Sequence, residues 1–330
     1  MDIAQITPIL ATAIATSTPL VFACLGETIA ERAGVINLSA EGTILLGAMT
    51  SFAIAKTLEG SGTVPSLLAG FAGAAVVGAA IALIVALGTL TLKQSQVAIG
   101  FVLALLGASL SSFLGNSFVR IPGPTVPSFK IPGLQNLPLL GNLLFQSDLL
   151  VYLSYAAIAL VWVYFYRTRA GLMLRAIGEQ PNAAFARGTN VVKMRYIYTL
   201  IGGAMMGIAG AAFSLDFKAG WSHMHTAGYG WIALAIVIFG GWNPLRVALS
   251  CYLFGILQSL ASVAQSSIPA IPSQVFNVAP FMLMILLLVL TSSEWVERVL
   301  KLLPSPLDRT ASELIRSAPP AALGKVFEQD

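Results

Sequence analysis

Of the 330 residues, 57% are hydrophobic and only 10% are charged, where a soluble domain carries about 25% charged residues. That balance excludes a soluble enzyme or binding module and sets the class as an all-α integral membrane protein. The net charge of +4 gathers in one central stretch and in the tail rather than along a phosphate-tracking groove, so no nucleic-acid partner is expected.

Met1 to Gln5 lacks the positive region of a cleaved signal peptide, so the apolar run Ile3–Gly26 is expected to stay as the first span. Charge-free windows follow at Gly42–Ala55, Gly60–Leu92, Gln94–Val119, Leu149–Tyr166, Tyr196–Leu215, Ala219–Leu245 and Val247–Ser293. The last is too long for one crossing, and Ile268–Pro272 divides it, because prolines end helices. The reading is a polytopic helical bundle of about nine transmembrane helices, eight to ten being allowed. Residues 1–303 form the transmembrane domain. Residues 304–330 turn polar and Pro/Ala-rich and read as a cytoplasmic tail, disordered or a surface helix. Cys24 and Cys251 lie in apolar runs, with no disulfide framework and no metal spacing.

One polar island interrupts the apolar bulk. Residues 168–195, with Arg167 just before them, hold Arg169, Arg175, Arg187, Lys193 and Arg195 against the single acid Glu179. A cationic loop between spans belongs on the cytoplasmic side. Counting outward, Glu27–Glu41, the Gly240–Arg246 turn and the tail fall on that side as well. Asn116–Asp148, Asp216–Tyr229 and Ser266–Ser273 fall on the other. The island's centre, Gly178 to Gly188, reads as a short helix: Pro181 suits the first helical position and Gly188 the stop. Such a helix on a bundle's face is a docking knob.

Few residues are placed for chemistry. No Gly-rich Lys-Ser/Thr phosphate loop is present. His223 and His225 have no Cys or carboxylate beside them, a poor metal site. Phe101, Phe217, Trp221, Tyr229, Trp231 and Trp242 suit stacking on a base or an interfacial belt. Glu27, Glu31 and Glu41 admit two readings. They sit in a wet loop, or Gly34–Gly42 folds back into the bundle with Asn37, Ser39 and Glu41 facing substrate or a neighbouring helix. The same carboxylates would serve as the proton relay of an ATPase-independent secondary transporter.

Three blocks carry a family resemblance. Gly178-Glu179-Gln180-Pro181-Asn182-Ala183-Ala184 through Arg187-Gly188 resembles the coupling loop of ABC-importer permeases of the branched-chain amino acid/ribose type. Glu31-Arg32-Ala33-Gly34-Val35-Ile36-Asn37, continuing to Glu41-Gly42, is similar to the signature of their nucleoside and simple-sugar branch. Gly228-Tyr229-Gly230-Trp231, continuing to Gly240-Gly241-Trp242-Asn243-Pro244, resembles a late segment of the same group. At Gln96-Val97-Ala98 the chain departs from the Asn or Asp before paired valines that related permeases tend to show.

The resemblance implies an ATPase-coupling role for Gly178, Glu179, Pro181, Ala183, Ala184, Arg187 and Gly188. It implies a translocation pathway involving Asn37, Ser39, Glu41 and Gln96. The chain itself would be no enzyme and bind no cofactor. ATP and Mg would be used by two partner ATPase subunits, beside a second, related permease subunit and an external substrate-binding protein. Purine nucleosides are the first expectation for substrate, then ribose-type sugars, then a vitamin with a ribityl arm.

Overall fold

The computed structural model describes residues 3–129, 147–226, 228–268, 271–291 and 318–328. Among them the regular elements are all helices: α1 (Ile3–Arg32), α2 (Ala40–Thr57), α3 (Thr63–Ala86), α4 (Gln96–Leu114), α5 (Leu149–Arg167), α6 (Arg169–Glu179), α7 (Pro181–Ala186), α8 (Val191–Ala212), α9 (Tyr229–Phe239), α10 (Pro244–Ser267) and α11 (Ser273–Thr291). Seven of these, α1, α3, α4, α5, α8, α10 and α11, are long and apolar enough to cross a membrane. With the shorter α2 and α9 they give the multi-pass bundle expected from composition.

Burial separates the middle of the bundle from its rim. The apolar windows of α1 and α8 are 67% and 61% buried, those of α4 and α11 only 22% and 17%. Apolar side chains on the rim cost nothing in hydrocarbon, so the buried helices are the ones held by packing rather than by solvent. Helix α8 packs against α1, α2 and α3, and small residues let it do so. A Cβ on Gly203 would lie 2.5 Å from the Gly78 carbonyl oxygen and 2.3 Å from the Ala82 Cβ. Only a residue without a side chain permits that approach.

The connections sort to two ends. At one end, Arg32 on α1 donates from Nε to the Trp242 carbonyl at 3.0 Å, and from Nη1 to Glu179 at 3.5 Å. This gathers the α1 terminus, the α6–α7 island and the α9–α10 turn. At the opposite end, the Val126 N–H donates to the Leu215 carbonyl at 2.8 Å and the Arg120 N–H to that of Trp221 at 3.1 Å. The grouping agrees with the outward count from the island. Residues 130–146 of the long loop, the turn's residues 269–270 and tail residues 304–317 lie outside the described residues.

Three boundaries differ from expectation. Helix α1 continues six residues past Gly26, because Glu31 and Arg32 find buried partners instead of water. The window Ala219–Leu245 is not one crossing; among its described residues the helical ones are Tyr229–Phe239 and the start of α10, which begins at Pro244. The end of the tail is not disordered: residues 318–328 form a turn packed on the island end.

Candidate functional site

The interior of the bundle holds a break in the helical path. After Arg32 the chain reverses at Gly34, whose φ of 91° favours glycine. It then descends without helical structure over residues 35–39, and α2 starts at Ala40. Asn37 reaches well down α8: its Nδ2 donates to the Met206 sulfur at 3.6 Å. Met206 lies three turns beyond Arg195, roughly 16 Å at 1.5 Å per residue, while Gly34 sits directly against Arg195. Residues 34–40 are therefore a re-entrant stretch.

Non-helical backbone at that depth has no water to bond, so each N–H must find an acceptor in the protein. Backbone carbonyls take the Gly34, Val35 and Ala40 N–H groups, and polar side chains take those of Ile36, Asn37 and Ser39. Gln96 Oε1 accepts from the Ile36 N–H at 2.8 Å, and Glu27 Oε1 from the Asn37 N–H at 3.2 Å. Asn37 Oδ1 accepts from the Ser39 N–H at 3.2 Å and from its hydroxyl at 2.5 Å. The Ser39 and Thr43 hydroxyls lie 3.1 Å apart. The wet-loop reading of the carboxylates is excluded, since Glu27, Glu31 and Glu41 are 0%, 5% and 5% exposed.

Glu41 joins this stretch to a second break. Between Phe217 and Tyr229 the described residues are again non-helical, and α9 starts after Gly228. Glu41 Oε1 accepts from the Gly228 N–H at 3.0 Å and the Thr226 hydroxyl at 3.3 Å, and Oε2 accepts from the Gly230 N–H at 2.7 Å. A carboxylate on the unpaired N–H groups of a helix N-terminus also meets the positive end of the helix dipole. One side chain thus ties the start of α2 to the start of α9.

The island end carries the second candidate site. Helix α6 buries Leu174 and Ile177, and its last residues are held closely. A Cβ on Gly178 would lie 2.1 Å from the Arg32 carbonyl oxygen. The Gly178 carbonyl accepts from the Ala322 N–H at 2.9 Å, and Glu179 takes both Arg32 and, through Oε2 at 3.1 Å, the Ala321 N–H. Pro181 opens α7, Ala184 is the residue α7 buries, and Gly188 (φ 85°) stops it with open space around its α-carbon. Ala183, Phe185 and Arg187 face outward. Helix α7 therefore stands clear of the bundle on a base locked by Gly178 and Glu179.

A family described as "Branched-chain amino acid transport system / permease component" matches residues 9–288. The chain belongs to this permease family. It is similar to the putative glucose ABC transporter permease protein TsgC13 of Haloferax volcanii, at 39% identity over 77% of this chain and 76% of that one. It is 34% identical to the nucleoside ABC transporter permease protein NupC of Lactococcus lactis, over 86% of this chain and 91% of the relative. The guanosine ABC transporter permease protein NupQ of Bacillus subtilis is 35% identical over 87% and 93%. No solved structure matches the chain significantly.

The permease thus brings Asn37, Ser39, Glu41 and Gln96 to one interior region, where each holds backbone or a neighbouring side chain. Reading the sequence missed the role of Arg195, which is fully buried and donates to the Lys325 carbonyl at 2.8 Å; as one basic residue of the island it counted only toward topology. It singled out Trp242 as an aromatic but missed its role, the indole N–H donating to Glu31 Oε2, and it missed Thr226 beside Glu41. Among the described residues of the permease no group of three His, Cys, Asp or Glu is placed to hold a metal. His225 is buried against Trp221, and burial together with the Lys218 charge pushes its pKa down to about 4. Of the singled-out aromatics, Trp221, Tyr229 and Trp242 are buried, and Phe101 and Trp231 pair on an exposed surface.

Proposed function

We propose that this chain is one of two permease subunits of an ATP-driven importer that carries nucleosides across the cytoplasmic membrane. The observation that carries the reading is α7, a helix held at its base by Gly178 and Glu179 and otherwise presented outward between α6 and α8. In this reading the island end is cytoplasmic, and ATPase subunits grip α7. Their ATP-bound and ATP-free states bind it differently, and that difference moves α6 and α8 and alternates access. ATP hydrolysis belongs to those partners; an external binding protein delivers the substrate.

The interior residues fit a share in the path. The re-entrant stretch and the Gly228 turn are broken elements of the kind that flank transporter pathways. Asn37, Ser39, Glu41 and Gln96 act here by fixing that backbone from behind. Nucleosides are favoured because the nucleoside and guanosine permeases align over more than four fifths of this chain. A simple sugar is the second reading, supported by the higher identity to the glucose permease.

The test is uptake into proteoliposomes holding both permeases, the ATPase subunits and the binding protein. Labelled guanosine should enter only with ATP inside the compartment that α7 faces, and excess glucose should not compete. Competition by glucose would favour the sugar reading. Uptake by the chain alone, driven by a proton gradient, would overturn the importer reading.

A further inference from the structure

We infer that residues 318–328 are part of the ATPase-docking surface, forming with α7 one composite site; the inference rests on the reading of α7 as the ATPase handle. A six-residue helix is only about 9 Å long. It cannot by itself supply the roughly 800 Å² per partner that a stable protein contact buries. The missing surface must lie beside α7, and the structure puts residues 318–328, a strap across the island end, there.

The strap is anchored mainly by its backbone. The Ala322 N–H donates to Gly178 at 2.9 Å, the Gly324 N–H to the Gly34 carbonyl at 3.1 Å, and the Lys325 carbonyl accepts from Arg195. Those bonds leave outward side chains free to face a partner. The Phe327 ring packs on Phe185 of α7 with centroids 5.7 Å apart. Phe185 and Val326 remain 42% and 41% exposed. Between α7 and the strap runs a groove of about 690 Å³, lined from Glu179 to Ala183 on one side and by Ala321, Ala322 and Lys325 to Glu328 on the other. The surface is thus an apolar centre, Phe185 and Val326, with Arg187 and Lys325 exposed around it; the groove's two acids, Glu179 and Glu328, are paired with Arg32 and Lys93, which leaves the basic side chains to face a partner. It fits an ATPase face with an apolar slot and an acidic rim.

The strap also contacts Gly34 and Arg195, at the starts of the re-entrant stretch and of α8. An ATPase seated on both walls would pull on α1 and α8 together with α6.

The experiment uses the full transporter, co-expressed with its ATPase subunits and purified through the permease. Val326→Asp and Lys325→Glu change only outward side chains; the strap's backbone bonds survive. Either is expected to weaken ATPase retention roughly tenfold, as truncating an interface anchor does, with the permease's Tm in detergent unchanged; should Val326→Asp lower Tm, Lys325→Glu decides. Retention at the parental level in both, while Phe185→Asp on α7 loses it, would overturn the inference and leave the α7 reading standing. Were Phe185→Asp neutral too, or the parent to retain no ATPase, the reading of α7 would fall and the composite site with it.

Discussion

Arg195, fully buried at the start of α8, donates from Nη1 to the backbone carbonyl of Lys325, 130 residues later in the chain, at 2.8 Å. Gly34 lies across it, so close that a Cβ there would be 2.7 Å from Nη2. A hydrogen bond from a charged donor is worth about 1.5–3 kcal/mol. Arg195→Met keeps much of the stem's bulk and removes the donor. Limited proteolysis within residues 318–328 is expected to speed up at least roughly tenfold, the local opening that this energy allows. A strap as resistant as in the parent would show that Arg195 does not hold it.

Glu41 offers a graded test of the interior junction. Glu41→Ala leaves the Gly228 and Gly230 N–H groups without their acceptor inside a bundle where water does not replace it. Two orphaned buried donors cost on the order of 2–5 kcal/mol. Glu41→Gln keeps one acceptor oxygen and should cost about half as much. The expected order of Tm in detergent is parent, then Gln, then Ala. Should the Ala variant melt with the parent, the carboxylate is not what positions α9.

Much of this architecture was legible in the chain. Pro181 and Gly188 marked α7 because one needs no N–H partner and the other tolerates a positive φ; both are local properties. The Pro-containing turn that separates α10 from α11, and the sorting of loops by Arg and Lys, are local too. What escaped reading depends on partners distant in sequence. Glu27, Glu31 and Arg32 look like a wet loop because charges usually mark one, yet Glu27 Oε1, Glu31 and Arg32 find partners in Asn37, Trp242 and Glu179 and the helix continues. The window 219–245 has the hydropathy of one span, but Glu41 holds its Gly228 turn open from 187 positions away. The tail's polar, Pro/Ala-rich composition hid Phe327, whose neighbour Phe185 is on α7.

Gly188 separates coupling from folding. Its φ of 85° lies in the left-handed region, and nothing stands within 4 Å of where a Cβ would be. Gly188→Val therefore creates no clash with the bundle but costs about 1–2 kcal/mol of backbone strain at the α7 stop, enough to change how α7 is presented. Tm should fall by no more than a few degrees, while ATP-driven uptake drops by roughly tenfold or more. Uptake at the parental rate would mean that the pose of α7 is irrelevant to transport.

The last prediction concerns acid. His225 is 5% exposed, and burial first, then the Lys218 charge, lower its pKa from 6.5 to about 4. The Lys218 ammonium donates to the His225 carbonyl at 2.6 Å, which fixes the two side chains near each other. In the unfolded chain His225 takes a proton near its ordinary value, while the folded chain resists it. Above that value the two states bind the same number of protons and His225 adds no pH dependence. As pH falls from about 6.5 toward 4 the unfolded state binds more protons, and folding stability is lost progressively. At pH 5 the loss is about 2 kcal/mol. Asp148, whose pKa burial raises, works in the opposite direction at the acid end, so the comparison must be made between variants. Tm of the parent should drop more between pH 7 and pH 5 than that of His225→Gln, which has no proton to take up. Parallel pH profiles for the two proteins would show that His225 does not set the acid sensitivity.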